Sequence, residues 1–402
     1  MSSYAELLRT TGVARIMTAQ LIARFPGGML SLGFLLHIER TTGSYTLAGL
    51  VLAALSVGQA ISGPLTSRLM GRVGMRPVLI VTVIACSLAI AEIALVPQSP
   101  VVSMAVALVA GLTYPPIQPA VRTIYPKMVN SRQLTPLFSL DASAQELIWV
   151  GGPVAVTFVS TQVGTVWGIL LSVVLLAGGG AWFISSPELG RVRIPRSKRA
   201  FGRVLLRPTV ALATIVGFLL IGSCAAIEAG VVATFGDGAP ESGVVLAIWS
   251  IGSLAGGLLL GHIPIGPWAL ARRTLIVTVG VALAAAMQDF WWLSWTLVVA
   301  GVGLAPALAV LFAITSSSVK FSDTAEAYGW IGTGQLIGAA LGSALAGFLI
   351  DANGSVGGFW IGAVLALAAV IAATVGRPWH PDLRGRDASP LPDTEPVPIQ
   401  PT

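Results

Sequence analysis

Long apolar stretches separated by short polar breaks run through almost the whole chain. A helix needs about 20 mostly apolar residues to cross a bilayer, and the breaks divide the chain into twelve stretches of roughly that length. They predict helices over residues 13–37, 45–66, 77–96, 100–121, 138–161 and 165–185, and over 209–235, 242–264, 274–292, 294–318, 325–350 and 355–376. The pattern therefore indicates an all-α integral membrane protein with twelve transmembrane helices.

One polar interruption is longer and far more basic than the others. Residues 187–208 contain a single acid, Glu188, and the basic residues Arg191, Arg193, Arg196, Lys198, Arg199, Arg203 and Arg207. Lys and Arg near membrane ends are retained on the cytoplasmic side. We interpret this segment as a cytoplasmic loop that joins a six-helix bundle over residues 1–186 to a second bundle over 209–377. The proline-rich residues 378–402 are predicted to be a disordered cytoplasmic tail.

The other basic residues alternate from one loop to the next. If both termini are cytoplasmic, then of the 23 Lys and Arg only Arg40 lies outside and only Arg24 lies in the membrane. Charged residues are 10% of the chain, against roughly 25% in soluble domains. The net charge of +6 then faces an anionic leaflet, so no nucleic acid is needed as a partner. We expect a monomer in the plasma or inner membrane of the cell.

The residues that usually carry catalysis or bind metals are scattered. The histidines, His37, His262 and His380, lie at loops or in the tail, and both cysteines, Cys86 and Cys224, fall inside apolar spans. No metal-ligand spacing, no nucleophile beside a base and no Gly-Lys nucleotide loop is evident. We therefore expect no enzymatic activity, no metal, no cofactor and no built-in ATP motor.

The two halves repeat one another. A shift of 194 residues aligns the second helix of each half, bringing Gly49, Val51, Leu52, Ala53, Ser56, Gly58, Gly63 and Leu65 onto Gly243, Val245, Leu246, Ala247, Ser250, Gly252, Gly257 and Leu259. A shift of 190 aligns Gly111 with Gly301, Pro116 with Pro306 and Gln145 with Gln335. Duplicated bundles of this kind are typical of secondary transporters.

Twelve helices, a basic central loop and a duplicated half resemble the major facilitator superfamily, over residues 10 to 377. The segment from Ser67 to Arg76 is similar to that family's motif between its second and third helices, because Arg72, Gly74 and Arg76 match. Gly71 stands where the motif prefers Asp, a residue that in the family helps latch the halves together. The resemblance therefore implies the fold and a gating role for the three matching residues, but not that latch. The family's buried arginine of helix four is also missing, since Arg122 is expected at the cytoplasmic end.

Ionisable residues inside the bilayer are costly and often functional. Arg24 in the first helix and Glu146 in the fifth are expected at similar depths, roughly 12–17 Å in at 1.5 Å per residue. Because these helices are neighbours in the resembling fold, we predict an Arg24–Glu146 ion pair. Two roles stay open for it: locking the helices together, or binding substrate and exchanging a proton.

Several polar and aromatic side chains are candidates for the substrate path. In the first helix Gln20 and Arg24 share a face, beside Pro26. In the fourth, Tyr114 and Gln118 lie among three prolines, and in the resembling fold this helix faces the central cavity. The interior tryptophans of helices five, eight and eleven could form an aromatic surface for an apolar ligand, with core packing as the alternative: Trp149, Trp249 and Trp330.

Glu228 lies in the outer half of the seventh helix with no basic residue near it in sequence. Burial disfavours the charged form of an unpaired carboxylate, which suits it to loading and releasing a proton. Glu228, together with Glu146, is therefore our candidate for proton coupling; the alternative for Glu228 is an acid that reaches the outer water. Glu92 is interpreted as such a water-reaching acid, and Glu326 as a helix-capping residue.

These features favour a secondary transporter that works by alternating access. Few buried charges and several buried aromatic residues favour a small, largely apolar substrate, exported in a proton-coupled antiport similar to that of small-molecule and drug exporters. Two alternatives remain open. One is uptake of a carboxylate-bearing metabolite with Arg24 as its partner, and the other is a membrane receptor or sensor that does not transport.

Overall fold

The structure is a computed structural model that describes residues 4–236 and 239–393, and its regular elements there are helices. The first half contains α1 (Tyr4–Arg9), α2 (Val13–Arg24), α3 (Pro26–Thr42), α4 (Tyr45–Val73), α5 (Met75–Leu95), α6 (Pro100–Leu112), α7 (Ile117–Met128), α8 (Ser131–Ala144), α9 (Glu146–Gln162) and α10 (Thr165–Ser185). The second half follows the short α11 (Pro187–Arg191) and contains α12 (Pro208–Phe235), α13 (Pro240–Leu260), α14 (Ala269–Ala284), α15 (Phe290–Ser318), α16 (Thr324–Asn353) and α17 (Val356–Val375).

These helices make the twelve predicted crossings. Ten stretches of the described chain are long and apolar enough to span a membrane. The other two crossings are α8 with α9, which carries acidic residues, and α14, which is short. Three crossings are made in two pieces each, by α2 and α3, by α6 and α7, and by α8 and α9. The predicted all-α membrane architecture is confirmed.

Each break in these three crossings lies next to a polar side chain. Pro26 starts α3 two residues after Arg24, and the prolines that follow Tyr114 separate α6 from α7, because proline lacks the N–H that would continue the helix. Gln145 separates α8 from α9. Backbone groups freed in a membrane need partners within the protein, and the Tyr114 carbonyl accepts a hydrogen bond from Ser62 Oγ at 3.2 Å.

Two of the predicted cytoplasmic loops are in fact helical. Only Gly74, with φ at 106°, separates α4 from α5, a backbone conformation that glycine adopts most easily. Similarly, α7 runs to Met128 and α8 begins at Ser131, so most of the predicted loop before residue 138 is helix. The expected position of Arg122 at a loop end is therefore wrong: this residue lies on α7 and is 2% exposed.

The duplicated glycines produce the same helix crossing in both halves. A methyl group on Gly58 of α4 would lie 2.8 Å from the backbone of Gly111 on α6. In the second half, a methyl group on Gly301 of α15 would lie 3.0 Å from the backbone of Gly252 on α13. These distances are too short for any side chain, so the helices touch through their backbones. The sequence repeat therefore corresponds to the same close helix–helix contact in both halves.

The two halves contact each other along their cytoplasmic portions, where α4 packs on α16 and α8 packs on α13 and α15. Thr333 Oγ1 donates to the carbonyl of Ala60 at 2.8 Å. On the other seam, Ser139 Oγ donates to the carbonyl of Gly257 at 2.6 Å, and Tyr4 of α1 donates to the same carbonyl at 3.2 Å. The two halves are therefore closed against each other on the cytoplasmic side.

The C-terminal segment is packed against the second half, so the predicted disorder of residues 378–402 is wrong for residues 378–393. Leu383 N donates to the carbonyl of Ile265 at 2.9 Å, and Leu391 N donates to the carbonyl of Val319 at 2.9 Å. Ala388 is buried, and the guanidinium of Arg377 lies over the ring of Trp268. Residues 394–402 of the predicted tail lie outside the described residues.

We predict that Gly329→Val opens the cytoplasmic side. A Cβ at Gly329 would lie 2.6 Å from the carbonyl oxygen of Gly63, so α16 must move away from α4. Ser67, 1% exposed in this closed arrangement, should then become reactive as Ser67→Cys toward a water-soluble maleimide. Labelling should rise at least about tenfold, which corresponds to about 1.4 kcal/mol.

The matched control is Gly332→Val on the same helix, where a Cβ meets no atom within 4 Å. Equal labelling of Ser67→Cys in the two backgrounds would contradict the account of this seam.

Candidate functional site

An ionic network lies inside the first half, centred on a carboxylate that is completely buried. Asp141 of α8 is 0% exposed and binds two arginines from different crossings. Arg24 Nη1 lies 3.2 Å from Asp141 Oδ1, and Arg122 Nε lies 2.8 Å from Asp141 Oδ2. The network therefore joins the first, fourth and fifth crossings through one acid.

Neutral side chains complete the coordination of these charges. Tyr125 donates to Asp141 Oδ1 at 3.1 Å, and Gln20 Nε2 donates to the same oxygen at 3.2 Å. Arg24 also donates to Gln20 Oε1 at 2.7 Å and to Gln145 Oε1. The amide of Gln118 lies 3.1 Å from Gln145 Oε1. Three predicted site residues, Gln20, Arg24 and Gln118, are thus brought together.

The predicted Arg24–Glu146 ion pair is wrong. Arg24 pairs with Asp141, and Glu146 accepts a hydrogen bond from Ser253 Oγ of α13 at 2.7 Å instead. Asp141 and Gln145 are four residues apart and share a helix face, whereas Glu146 is one residue further and lies about 100° around the helix. A comparison of depth alone could not separate these two faces.

Rings from the second half cover the network on its cytoplasmic side. The guanidinium carbon of Arg122 lies 3.3 Å from the centre of the Phe312 ring on α15, close enough for a cation–π interaction. Tyr328 of α16 contacts Phe312, with ring centres 6.3 Å apart, and Phe138 of α8, with ring centres 6.5 Å apart. The network is therefore enclosed within the closed seam between the halves.

Two further carboxylates lie in membrane-spanning helices outside this network, one in each half. Glu146 at the start of α9 is half-buried and bonded to Ser253, while Glu228 of α12 is exposed. Cys224 lies four residues before Glu228 on α12 and is buried. Neither carboxylate forms an ion pair among the residues that the structure describes. We call Glu146 and Glu228 the carboxylate pair.

The cytoplasmic surface of the seam is held by a second set of charges. Arg68 of α4 pairs with Glu326 of α16, with side chains 8% and 3% exposed. Glu326 also accepts the backbone N–H of Gly202 at 2.8 Å, and Arg68 donates to the carbonyl of Arg199 in the connecting segment. The capping interpretation of Glu326 is therefore wrong, because its oxygens bind another helix and the connecting segment.

The motif residues Arg72, Gly74 and Arg76 border this surface. Arg72 lines a small cavity together with Arg68 and Glu326, and Arg76 Nη2 donates to the carbonyl of Ser186 at 3.2 Å. Gly74 is the single residue between α4 and α5. Beside the motif position where the aspartate is missing, Arg68 and Glu326 link the two halves by an ion pair.

The three tryptophans of the predicted aromatic surface lie in different environments. Trp249 is 5% exposed, and its Nε1 has no hydrogen-bond partner within the described ranges. Trp149 is 52% exposed. Trp330 packs on Phe201 of the connecting segment, with ring centres 5.7 Å apart, and so belongs to the cytoplasmic closure. Trp249 is on α13, the helix that also carries Ser250 and Ser253.

We predict that Asp141→Asn destabilises the protein far more than Arg24→Gln. Removing the acid leaves two arginines without a counter-charge in the membrane, at a cost of about 3–5 kcal/mol, whereas removing Arg24 leaves the Arg122–Asp141 pair intact. Thermal unfolding of purified protein in detergent measures the difference. Asp351→Asn, the same change at an exposed outer helix end, is the control, and an Asp141→Asn variant as stable as this control would contradict the account.

Comparison with known proteins identifies the fold. The family model described as Major Facilitator Superfamily matches residues 16–287 and 226–400, and comparison with curated protein sequences gives no match. A solved structure of the human organic anion transporter MFSD10 (TETRAN) is similar with a TM-score of 0.72 and 14% identity, covering 90% of this chain and 98% of that one.

Two further solved structures have the same architecture. A bacterial homologue of the iron transporter ferroportin, in an outward-facing state, matches with a TM-score of 0.73 and 12% identity, covering 90% of this chain and 98% of that one. The proton:xylose symporter XylE matches with a TM-score of 0.69 and 13% identity, covering 94% and 97%. With the family match spanning most of the sequence, the chain belongs to the major facilitator superfamily and is a multi-pass membrane transporter.

Proposed function

We propose that this chain is a proton-coupled secondary transporter that exports a small, largely apolar molecule across the cytoplasmic membrane by alternating access. The observation that carries the proposal is the carboxylate pair: two acids in membrane-spanning helices, one from each half, that form no ion pair in the described part of the chain. The protein would act as a monomer.

The pair has the properties that proton coupling requires. Two ionised carboxylates within the membrane-spanning part of a protein repel each other, so a proton on one of them lowers that repulsion. Because Glu146 and Glu228 belong to different halves, their separation changes whenever the halves rock against each other. Protonation and conformation therefore influence each other through the same interaction.

The environment of the buried arginines supports an apolar substrate. The arginines are already engaged by Asp141, glutamines and the Phe312 ring, so few free polar groups remain to bind a sugar-like molecule. Small apolar molecules enter cells without help, which makes export the more useful direction. The same engagement of Arg24 by Asp141, Gln20 and Gln145 gives no support to uptake of a carboxylate.

The solved relatives do not select among substrates. Their names refer to an organic anion, to iron and to xylose with protons, and at 12–14% identity the likeness concerns the fold alone. The cargo therefore has to be argued from this chain's own residues.

We predict that purified protein in vesicles moves protons when substrate is supplied, and that Glu228→Gln and Glu146→Gln abolish this movement. A trapped pH dye reports the flux while lipophilic cations, dyes and organic acids are screened. Each variant removes a titratable group of the pair, so proton flux should fall at least about tenfold.

Glu92→Gln is the matched control, because Glu92 is an exposed membrane acid on α5 outside the pair. Substrate transport by wild type without proton movement would overturn the coupling. Substrate movement by neither wild type nor variants would favour a receptor over a transporter.

A further inference from the structure

The segment that follows α17 crosses the cytoplasmic side of the second half and is attached there at three places within the described chain. At the start of α12, Thr209 Oγ1 donates to the carbonyl of Trp379 at 2.7 Å. At the turn between α13 and α14, the N–H of Leu383 donates to the carbonyl of Ile265 at 2.9 Å. The third attachment is at the turn between α15 and α16. We call residues 377–393 the C-terminal strap.

The attachment at the turn between α15 and α16 is made mainly by the backbone. The N–H of Leu391 donates to the carbonyl of Val319 at 2.9 Å, and the N–H of Phe321 donates to the carbonyl of Leu391 at 3.0 Å. The N–H of Ser322 donates to Asp393 Oδ1 at 3.2 Å. These hydrogen bonds fix successive residues of the turn against the strap.

The same turn contacts the first half across the cytoplasmic seam. The ammonium group of Lys127, on α7 of the first half, lies 4.8 Å from the centre of the Phe321 ring, within range of a cation–π interaction. Asp323 accepts a hydrogen bond from Ser197 of the connecting segment, and its carboxylate lies 3.5 Å from the guanidinium of Arg199. The strap therefore holds a turn that the second half presents to the first.

The connecting segment occupies the corresponding place on the first half. A Cβ on Gly71, near the end of α4, would lie 3.3 Å from the carbonyl oxygen of Pro195. A Cβ on Gly266, in the turn after α13, would lie 3.2 Å from Nε of Arg384. In each half, the segment after the sixth crossing thus contacts the chain at the end of the second crossing. The strap is the counterpart of a segment that already contacts the closed seam.

A turn that is ordered in advance favours closure of the seam. Fixing backbone residues costs conformational entropy. With the strap in place, the turn between α15 and α16 already has the conformation that contacts the first half, so closure loses less of that entropy. Without the strap, the turn has to become ordered each time the halves close, which shifts the equilibrium toward the conformation open to the cytoplasm.

We propose that the C-terminal strap is a built-in device that stabilises the conformation closed to the cytoplasm, because it holds the turn between α15 and α16 against the first half. Release of the strap shifts the transporter toward the conformation open to the cytoplasm. The device depends neither on the carboxylate pair nor on the transported molecule, so it can be tested without a known substrate.

The first test compares two truncations with the full-length chain. Removal of residues 389–402 eliminates the attachment to the turn between α15 and α16 and leaves the attachments of Trp379 and Leu383. Removal of residues 394–402 leaves all three attachments and is the matched control. Thermal unfolding of the purified proteins in detergent checks that each chain is folded.

Opening is measured by labelling with a water-soluble maleimide at two fully or almost fully buried positions. Ser67→Cys lies on α4 beside Ser322 and Glu326. Ser143→Cys lies on α8, where the serine hydroxyl has no hydrogen-bond partner in the described chain and faces Gly257 of α13 on the other seam. Both native cysteines are buried, so the introduced thiols dominate the signal.

Removal of residues 389–402 should raise labelling at both positions at least about threefold, since the net loss of one hydrogen bond shifts an equilibrium by roughly that factor. Removal of residues 394–402 should leave labelling at the full-length level. A rise at Ser67→Cys without a rise at Ser143→Cys would mean that only the turn loosens, and it would overturn the inference. Equal labelling of all three chains would also overturn it.

A second test keeps the full-length chain and remains decisive if the longer truncation does not fold. Leu391→Pro removes the N–H that binds the carbonyl of Val319, whereas Leu391→Ala keeps this N–H and shortens only an exposed side chain. Leu391→Pro should raise labelling at both reporter positions, and Leu391→Ala should not. Equal labelling of the two variants would contradict the role of the strap.

Discussion

The structure depends on the rule that a charge in the hydrocarbon core must be neutralised within the protein. Asp141 pairs with two arginines at once, and its fully buried carboxylate ties together three crossings. Because both of its oxygens are occupied, Arg24 and Arg122 are fixed in place and are not free to meet a ligand. The carboxylate pair has no such arginine partner among the described residues, and we therefore propose that its charge is functional and that of Asp141 structural.

The cytoplasmic closure has an unusual composition for a seam between two bundles. Backbone contact between Gly63 and Gly329 brings α4 and α16 together, and Arg68 with Glu326 secures their ends. The connecting segment takes part in this, since Glu326 accepts from Gly202 and the Arg199 side chain lies 3.5 Å from Asp323. The basic segment that first indicated a cytoplasmic loop therefore also contacts the closed seam, through Gly202 and Arg199.

The sequence predicted the fold well because hydrophobic length and charge asymmetry act over whole crossings and survive errors of several residues at each boundary. The site was harder, because it depends on single helix positions. Asp141 was overlooked since the fifth helix was taken to start at residue 138, which left its acid near an apparent loop. Its four-residue spacing to Gln145 was the available signal. The position of Arg122 was wrong for the same reason. Glu146 and Glu228 stand out in the sequence because each interrupts a long apolar run, and their role stays a prediction.

The central claim is that protonation of the carboxylate pair sets which side of the transporter is open. The most direct test is the distance between spin labels at Thr46 and Asn353, which are exposed positions at the outer ends of α4 and α16. Double electron–electron resonance measures this distance as the pH is lowered. The account predicts that the distance distribution of the wild type shifts with pH and that the Glu146→Gln/Glu228→Gln double variant stays in one distribution at every pH. A double variant that keeps the wild-type shift would contradict it.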